Sequence, residues 1–171
     1  SIKDNIIQGN GKHGISTDIA SIMEGKSSCT IDEIVGNKIL NNGRKGIYVE
    51  SSLVKSIAGN VITGNQTGLG VGAGSKALGL EGNTFSKNKN ENIVSTGKGA
   101  LVEIANKNIV NNSKNGVTIT NKGTVKITGS DNTFNSNKKN GISLTRKSTL
   151  KITTKSGKNQ VQKNKNMGIG V

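Results

Sequence analysis

The chain contains no proline and no tryptophan, and it has one cysteine, one histidine, one tyrosine and two phenylalanines. Each scarcity removes a class of protein. The single thiol, Cys29, excludes an internal disulfide, and with no zinc-ligand spacing there is no metal-built fold. Tyr48, Phe85 and Phe134 are the whole aromatic set, too few to make a stacking platform for nucleic-acid bases. No apolar run is long enough to span a membrane or to act as a signal peptide. Acidic residues are also sparse: beyond Ile104 the only one is Asp131. Hydrophobic residues make up 30% of the chain, so any core is thin. Together with 24 asparagines, that balance alone also fits a disordered, asparagine-rich segment.

What is present is a repeat. Asn37 to Val49 reads asparagine, any residue, apolar, two more residues, a second asparagine, then glycine four residues on and an apolar-x-apolar triplet. Seven copies follow one another, with the inner apolar residue at Ile7, Ile39, Ile62, Phe85, Ile109, Phe134 and Val161. The second asparagine is read as Asn10, Asn42, Asn65, Asn88, Asn112, Asn137 and Asn164. The first is Asn5, Asn37, Asn60, Asn83, Asn132 and Asn159, with Lys107 as the one departure. Gly14, Gly46, Gly68, Gly116, Gly141 and Gly168 supply the glycine; Asn92 replaces it in the fourth copy. Asparagine tolerates a left-handed backbone best after glycine, so a left-handed turn is expected there.

A period near 23 residues is too short for a helix-loop-helix unit, and no 3.6-residue apolar stripe accompanies it. Period-two alternation after the glycine, and further short apolar segments such as Val102 to Ile104 and Val125 to Ile127, predict strands. Coils stacked at roughly 4.8 Å would set equivalent asparagines above one another, passing amide hydrogen bonds from coil to coil. The expected fold is all-β: a right-handed single-stranded parallel β-helix, or solenoid, of about seven coils of 23–27 residues. It forms one domain over residues 1–171, expected to be a slice of a longer protein, with end-to-end continuation of the β-helix into flanking sequence. The first coil is followed by an extra stretch within Asp18 to Thr30.

The Asn-x-Ile-x-x-Asn-x-x-x-Gly-Ile-x-Val pattern resembles the repeat of the pectate-lyase-like superfamily, over essentially the whole chain. That resemblance implies the right-handed β-helix and a secreted or cell-surface location. It leaves activity open, because such folds carry lyases, hydrolases, epimerases, tailspikes and proteins without catalysis. In enzymes of this kind the site lies on outward positions of the strand after the glycine, here Ser16, Tyr48, Gly70, Val94, Thr118, Ser143 and Gly170. Neither a calcium-binding aspartate cluster nor a stacked carboxylate pair appears among them. One constellation remains, formed by His13, Asp18, Arg44, Tyr48 and Glu50. Uronate β-elimination needs a cation, a base and an acid, which Arg44, His13 and Tyr48 supply by type. Set against this, the same residues also read as ordinary surface groups.

Charge points elsewhere. Residues 1–60 hold seven basic and six acidic side chains, net +1, whereas residues 61–171 hold seventeen and four, net +13. Bases recur before the glycine turn as Lys12, Arg44, Lys45, Lys89, Lys114, Lys138, Lys139 and Lys165, which stacking would align into a rail. The bland reading is a solvated face that blocks edge association. The functional reading, with Lys89, Lys114, Lys138, Lys139 and Lys165 as contacts, is an elongated basic face for acidic polysaccharide or another polyanion. No nucleic-acid motif, cofactor site or metal site is expected. The alternatives are a polysaccharide lyase or epimerase, and a purely structural stalk.

Overall fold

The computed structural model describes residues 1–17, 29–154 and 157–171; Asp18 and most of the extra stretch after the first coil lie outside them. Each coil contributes three short strands, one to each of three seven-stranded sheets. In the second coil these are Cys29–Val35, Lys38–Leu40 and Lys45–Val49. Strands pair in parallel with their equivalents one coil away, so strand order in each sheet follows chain order by threes. We call the turns from first to second sheet, second to third, and third back to first the first, second and third corners.

Register is held by burial. Ile39, Ile62, Phe85, Val110 and Phe134 pair in succession along the second sheet and all are buried. The third sheet contributes Ile47, Leu69, Ile93, Val117 and Ile142 to the same interior. The first contributes Ile34, Ile57, Leu80, Ile104 and Ile127. Each such side chain contributes about 1.5–3 kcal/mol on burial, and a slip of one residue would turn a whole column outward.

The fifth coil sits one residue later than its sequence alignment. Val110, not Ile109, takes the buried position opposite Phe85, and Ile109 is 43% exposed. Lys107 is therefore no departure from the pattern, because Asn108 holds the first asparagine position. The first ladder runs unbroken through Asn5, Asn37, Asn60, Asn83, Asn108, Asn132 and Asn159. At each step the side-chain nitrogen donates to the Oδ1 of the next, over 2.8–3.1 Å. Asn112 is likewise not in the second ladder. Ser113 stands there, buried, with its backbone N–H donating to Asn137 Oδ1 at 3.3 Å.

The left-handed residue is also not the glycine. At the second corner the residue just before the ladder position has positive φ in every coil: Gly9, Asn41, Gly64, Lys87, Asn112, Ser136 and Lys163, between 52° and 72°. At the first corner Asp4, Gly36, Gly59, Gly82, Lys107 and Asp131 do the same. Asn112 thus serves as the corner residue, a role asparagine tolerates. Gly14, Gly46, Gly68, Gly116 and Gly141 have no positive φ; a Cβ there would collide with the next coil. At Gly46 it would lie 2.8 Å from both Gly68 O and Ile62 Cγ2 and 3.0 Å from Asn65 Nδ2.

Asn92 fits because the coil after it is smaller there, offering Ser113 where the others offer asparagine. Its side chain then fills the gap in the ladder. Asn92 Oδ1 accepts from Asn88 Nδ2 at 2.8 Å and from Ser113 Oγ at 2.6 Å, and its Nδ2 donates to Asn111 O at 2.9 Å. Asn92 and Ser113 are therefore a compensated pair. Ser113→Asn alone should crowd Asn92, and Asn92→Gly alone should leave the Asn88 amide with only its bond to Ile62 O and strip the Ser113 hydroxyl of its acceptor. The double variant should recover a regular ladder. Urea denaturation of the four proteins should give a coupling of about 1–3 kcal/mol; additive losses would show the sites to be independent.

Candidate functional site

Outward positions of the third sheet align as expected, Ser16 beside Tyr48, Gly70, Val94, Thr118, Ser143 and Gly170. Around Tyr48 the structure builds a packed cluster. The His13 ring, one coil before, stacks on Tyr48 with centroids 5.0 Å apart and planes inclined by 27°. Lys45 Nζ sits 3.8 Å from the Tyr48 centroid, and the Lys45 stem lies over Gly70 of the following coil. A cation over a tyrosine face is attractive by about 0.5–2 kcal/mol. Tyr48 Oη donates to Glu50 Oε2 at 2.6 Å, and the Glu50 carboxylate rests over Gly72. His13 Nδ1 accepts from the Lys45 backbone N–H at 3.2 Å, which leaves Nε2 as the protonated nitrogen of a neutral ring.

The structure thus brings His13, Tyr48 and Glu50 together and leaves Arg44 out. Arg44 is exposed, and Lys45 occupies the place expected for the cation. His13 from the preceding coil and Lys45 both pack on the Tyr48 ring, and the Tyr48 hydroxyl donates to Glu50. The sequence hid this packing because Gly70 and Gly72 look chemically empty, whereas their missing side chains seat Lys45 and Glu50. Cys29 is exposed, not buried as a lone thiol usually is.

The second corner carries the other expectation. The position after the ladder residue is Gln66, Lys89, Lys114, Lys138 and Lys165 in coils three to seven, and the four lysines are exposed. Main-chain bonds to the preceding ladder position align three of the four: Lys89 N–H donates to Asn65 O, Lys138 N–H to Ser113 O and Lys165 N–H to Asn137 O, over 2.7–3.0 Å, whereas Lys114 N–H donates to Asn90 O at 2.8 Å, one residue past Lys89. Reading the ladder through Ser113 in place of Asn112 is what makes Lys114 the residue directly after the ladder position. Lys139 lies one residue further on, and Lys87 and Lys163 hold the left-handed corner position of the same face. Coils stack at roughly 4.8 Å; ammonium groups held at that spacing would repel by under about 1 kcal/mol each in water, and a bound anion would relieve that. The ion pairs found among the described residues, Lys3 with Glu33 and Lys55 with Asp32, lie on the first sheet and include none of these lysines.

Glu91 is an acid that interacts with a lysine of this face, Lys114. It is half-buried at the start of its strand, and burial pushes its carboxyl above the usual range, with Lys114 and the Thr67 hydroxyl partly opposing. The folded chain therefore binds this proton more tightly than the unfolded one. Stability should fall as pH rises from the ordinary glutamate value through the raised one, and the loss should persist above it. Glu91→Gln should raise the melting temperature at pH 7 and change it little at pH 3. A lower melting temperature at pH 7 would mean that attraction to Lys114 outweighs burial.

Among the described residues no group of three or more His, Cys, Asp and Glu could hold a metal ion, and no helix is long and apolar enough to cross a membrane. Three parallel sheets closed by asparagine ladders define a single-stranded parallel β-helix. A family model described as "Right handed beta helix region" matches residues 19–171, and the chain belongs to that family. Neither among curated proteins nor among solved structures is a match found.

Proposed function

We propose that this chain is a non-catalytic β-helix segment that binds acidic polysaccharide or another extended polyanion along its second corner, outside the cell or at its surface. The supporting observation is the aligned lysine column Lys89, Lys114, Lys138 and Lys165, with Lys139 beside it. Four charges along one corner of the solenoid, at one per coil, match a linear polyanion better than a compact one. Lysine is a flexible point charge and no rigid fork, so binding should track charge density. The extracellular setting rests on the resemblance to secreted β-helix proteins.

Replacing Lys89, Lys114, Lys138 and Lys165 with glutamine should release the protein from an acidic polysaccharide column at clearly lower salt. The same exchange at Lys122, Lys147, Lys151 and Lys158, away from that face, should matter much less. Equal losses would indicate diffuse charge without a site.

A second reading, polysaccharide lyase or epimerase, draws on the contact of His13, Tyr48 and Glu50. Unsaturated product from pectate, alginate or hyaluronan, abolished by Tyr48→Phe, would establish it.

A further inference from the structure

The outer face of the second sheet runs beside the lysine column and differs from it in kind. From the third coil onward none of its outward positions carries a charge, in a chain with 24 basic and 10 acidic residues. The row nearer the corner is Thr63, Ser86, Asn111, Asn135 and Gln162, held in register by strand pairing. Each member precedes the column position of its own coil by three residues. Coils four to seven therefore repeat one unit: a hydroxyl or amide beside an ammonium, as Ser86 with Lys89, Asn111 with Lys114, Asn135 with Lys138 and Gln162 with Lys165.

The hydrogen-bonding capacity of this row is incompletely used. Ser86 Oγ makes only a long contact of 3.4 Å to Thr63 Oγ1. Asn111 Oδ1 and Asn135 Oδ1, adjacent in the row, are shielded from water and have no donor. A buried acceptor without a donor costs about 1–3 kcal/mol. Turning the amide so that its oxygen meets a partner's hydroxyl would recover that energy.

We propose that this polar row is a specificity element that makes the lysine column prefer acidic polysaccharides over polyanions without hydroxyls. The inference rests on the polyanion reading and adds to it the residues that choose among polyanions. A linear polysaccharide with acidic groups offers, at each repeat, an anion for the ammonium and hydroxyls for the neighbouring amide or hydroxyl. Polyphosphate offers only the anion. A nucleic acid offers phosphates and bases, and no aromatic side chain lies in this row to stack the bases.

The test compares two probes of similar charge, linear polyuronate and inorganic polyphosphate, by titration calorimetry. The triple variant Ser86→Ala, Asn111→Ala and Asn135→Ala should bind polyuronate about tenfold more weakly, as expected for a few lost hydrogen bonds, while polyphosphate binding stays within about twofold. The Lys89, Lys114, Lys138 and Lys165→Gln variant should lose both. Should the triple variant unfold, the wild-type chain with O-methylated polyuronate makes the same comparison, and methylation should remove the preference. Equal losses of both probes in the triple variant, or full polyuronate binding by it, would overturn the specificity element while leaving the lysine column intact. Unchanged binding in the lysine variant would overturn the polyanion reading itself, and the specificity element with it.

Discussion

Replacing Asn83 by alanine should destabilise the chain by about 2–4 kcal/mol, among the largest losses available to a polar substitution here. Asn83 Oδ1 accepts from both the backbone N–H and the side-chain amide of Asn60, each at 3.0 Å. Its own amide donates to Ile57 O at 2.8 Å and to Asn108 Oδ1 at 3.0 Å. All of these groups are buried, so truncation leaves the Asn60 backbone N–H without a partner and removes a donor from its neighbours. Asn83→Asp should be worse still, since a carboxylate accepts but cannot donate and would be a buried charge. Asn90→Ala, outside both ladders, should cost little. Urea unfolding of the three variants checks this, and similar losses at Asn83 and Asn90 would remove the ladder from the energetics.

The second large effect is expected at Gly46. Alanine there should cost about 2–3 kcal/mol, because its methyl would press on the Gly68 carbonyl and Ile62, neither of which can withdraw cheaply. Gly74→Ala inverts the situation, with positive φ and open space around the added carbon, and should cost about 1 kcal/mol from backbone strain alone. Gly46→Asn separates the two explanations. A glycine kept for left-handed freedom would tolerate asparagine, whereas a glycine kept for close approach should make asparagine worse than alanine. Thermal melts of the four proteins decide between them.

The fold was legible because the solenoid writes each constraint once per coil. Asn10, Asn42, Asn65, Asn88, Asn137 and Asn164 sit in the second ladder as the repeat implied. The register of the fifth coil was not legible from asparagines alone. Two adjacent asparagines, Asn111 and Asn112, precede Ser113 there, and only burial of Val110 shows which residue enters the ladder. The reason for the glycine was not legible for a related cause. A sequence shows that a side chain is absent, but whether backbone angle or a neighbouring coil forbids it depends on packing.

For the site, the lysine rail was visible in the sequence, whereas the place of Lys114 directly after the ladder position depended on the same register correction at Ser113. The Tyr48 cluster was half visible: His13, Tyr48 and Glu50 share adjacent coils, but the choice of Lys45 over Arg44 follows from the space above Gly70. The polar row on the second sheet carries no charge and no motif, so only strand pairing sets it apart from other polar surface.

The most direct test of the lysine column is the salt dependence of its binding. For a linear polyuronate, the logarithm of affinity should fall linearly with the logarithm of salt concentration, by about 0.7 per neutralised charge if it behaves as a single-stranded polyanion. Exchanging Lys89, Lys114, Lys138 and Lys165 for glutamine should then flatten the slope by about 3. A slope unchanged by that exchange would contradict the aligned column as the binding site.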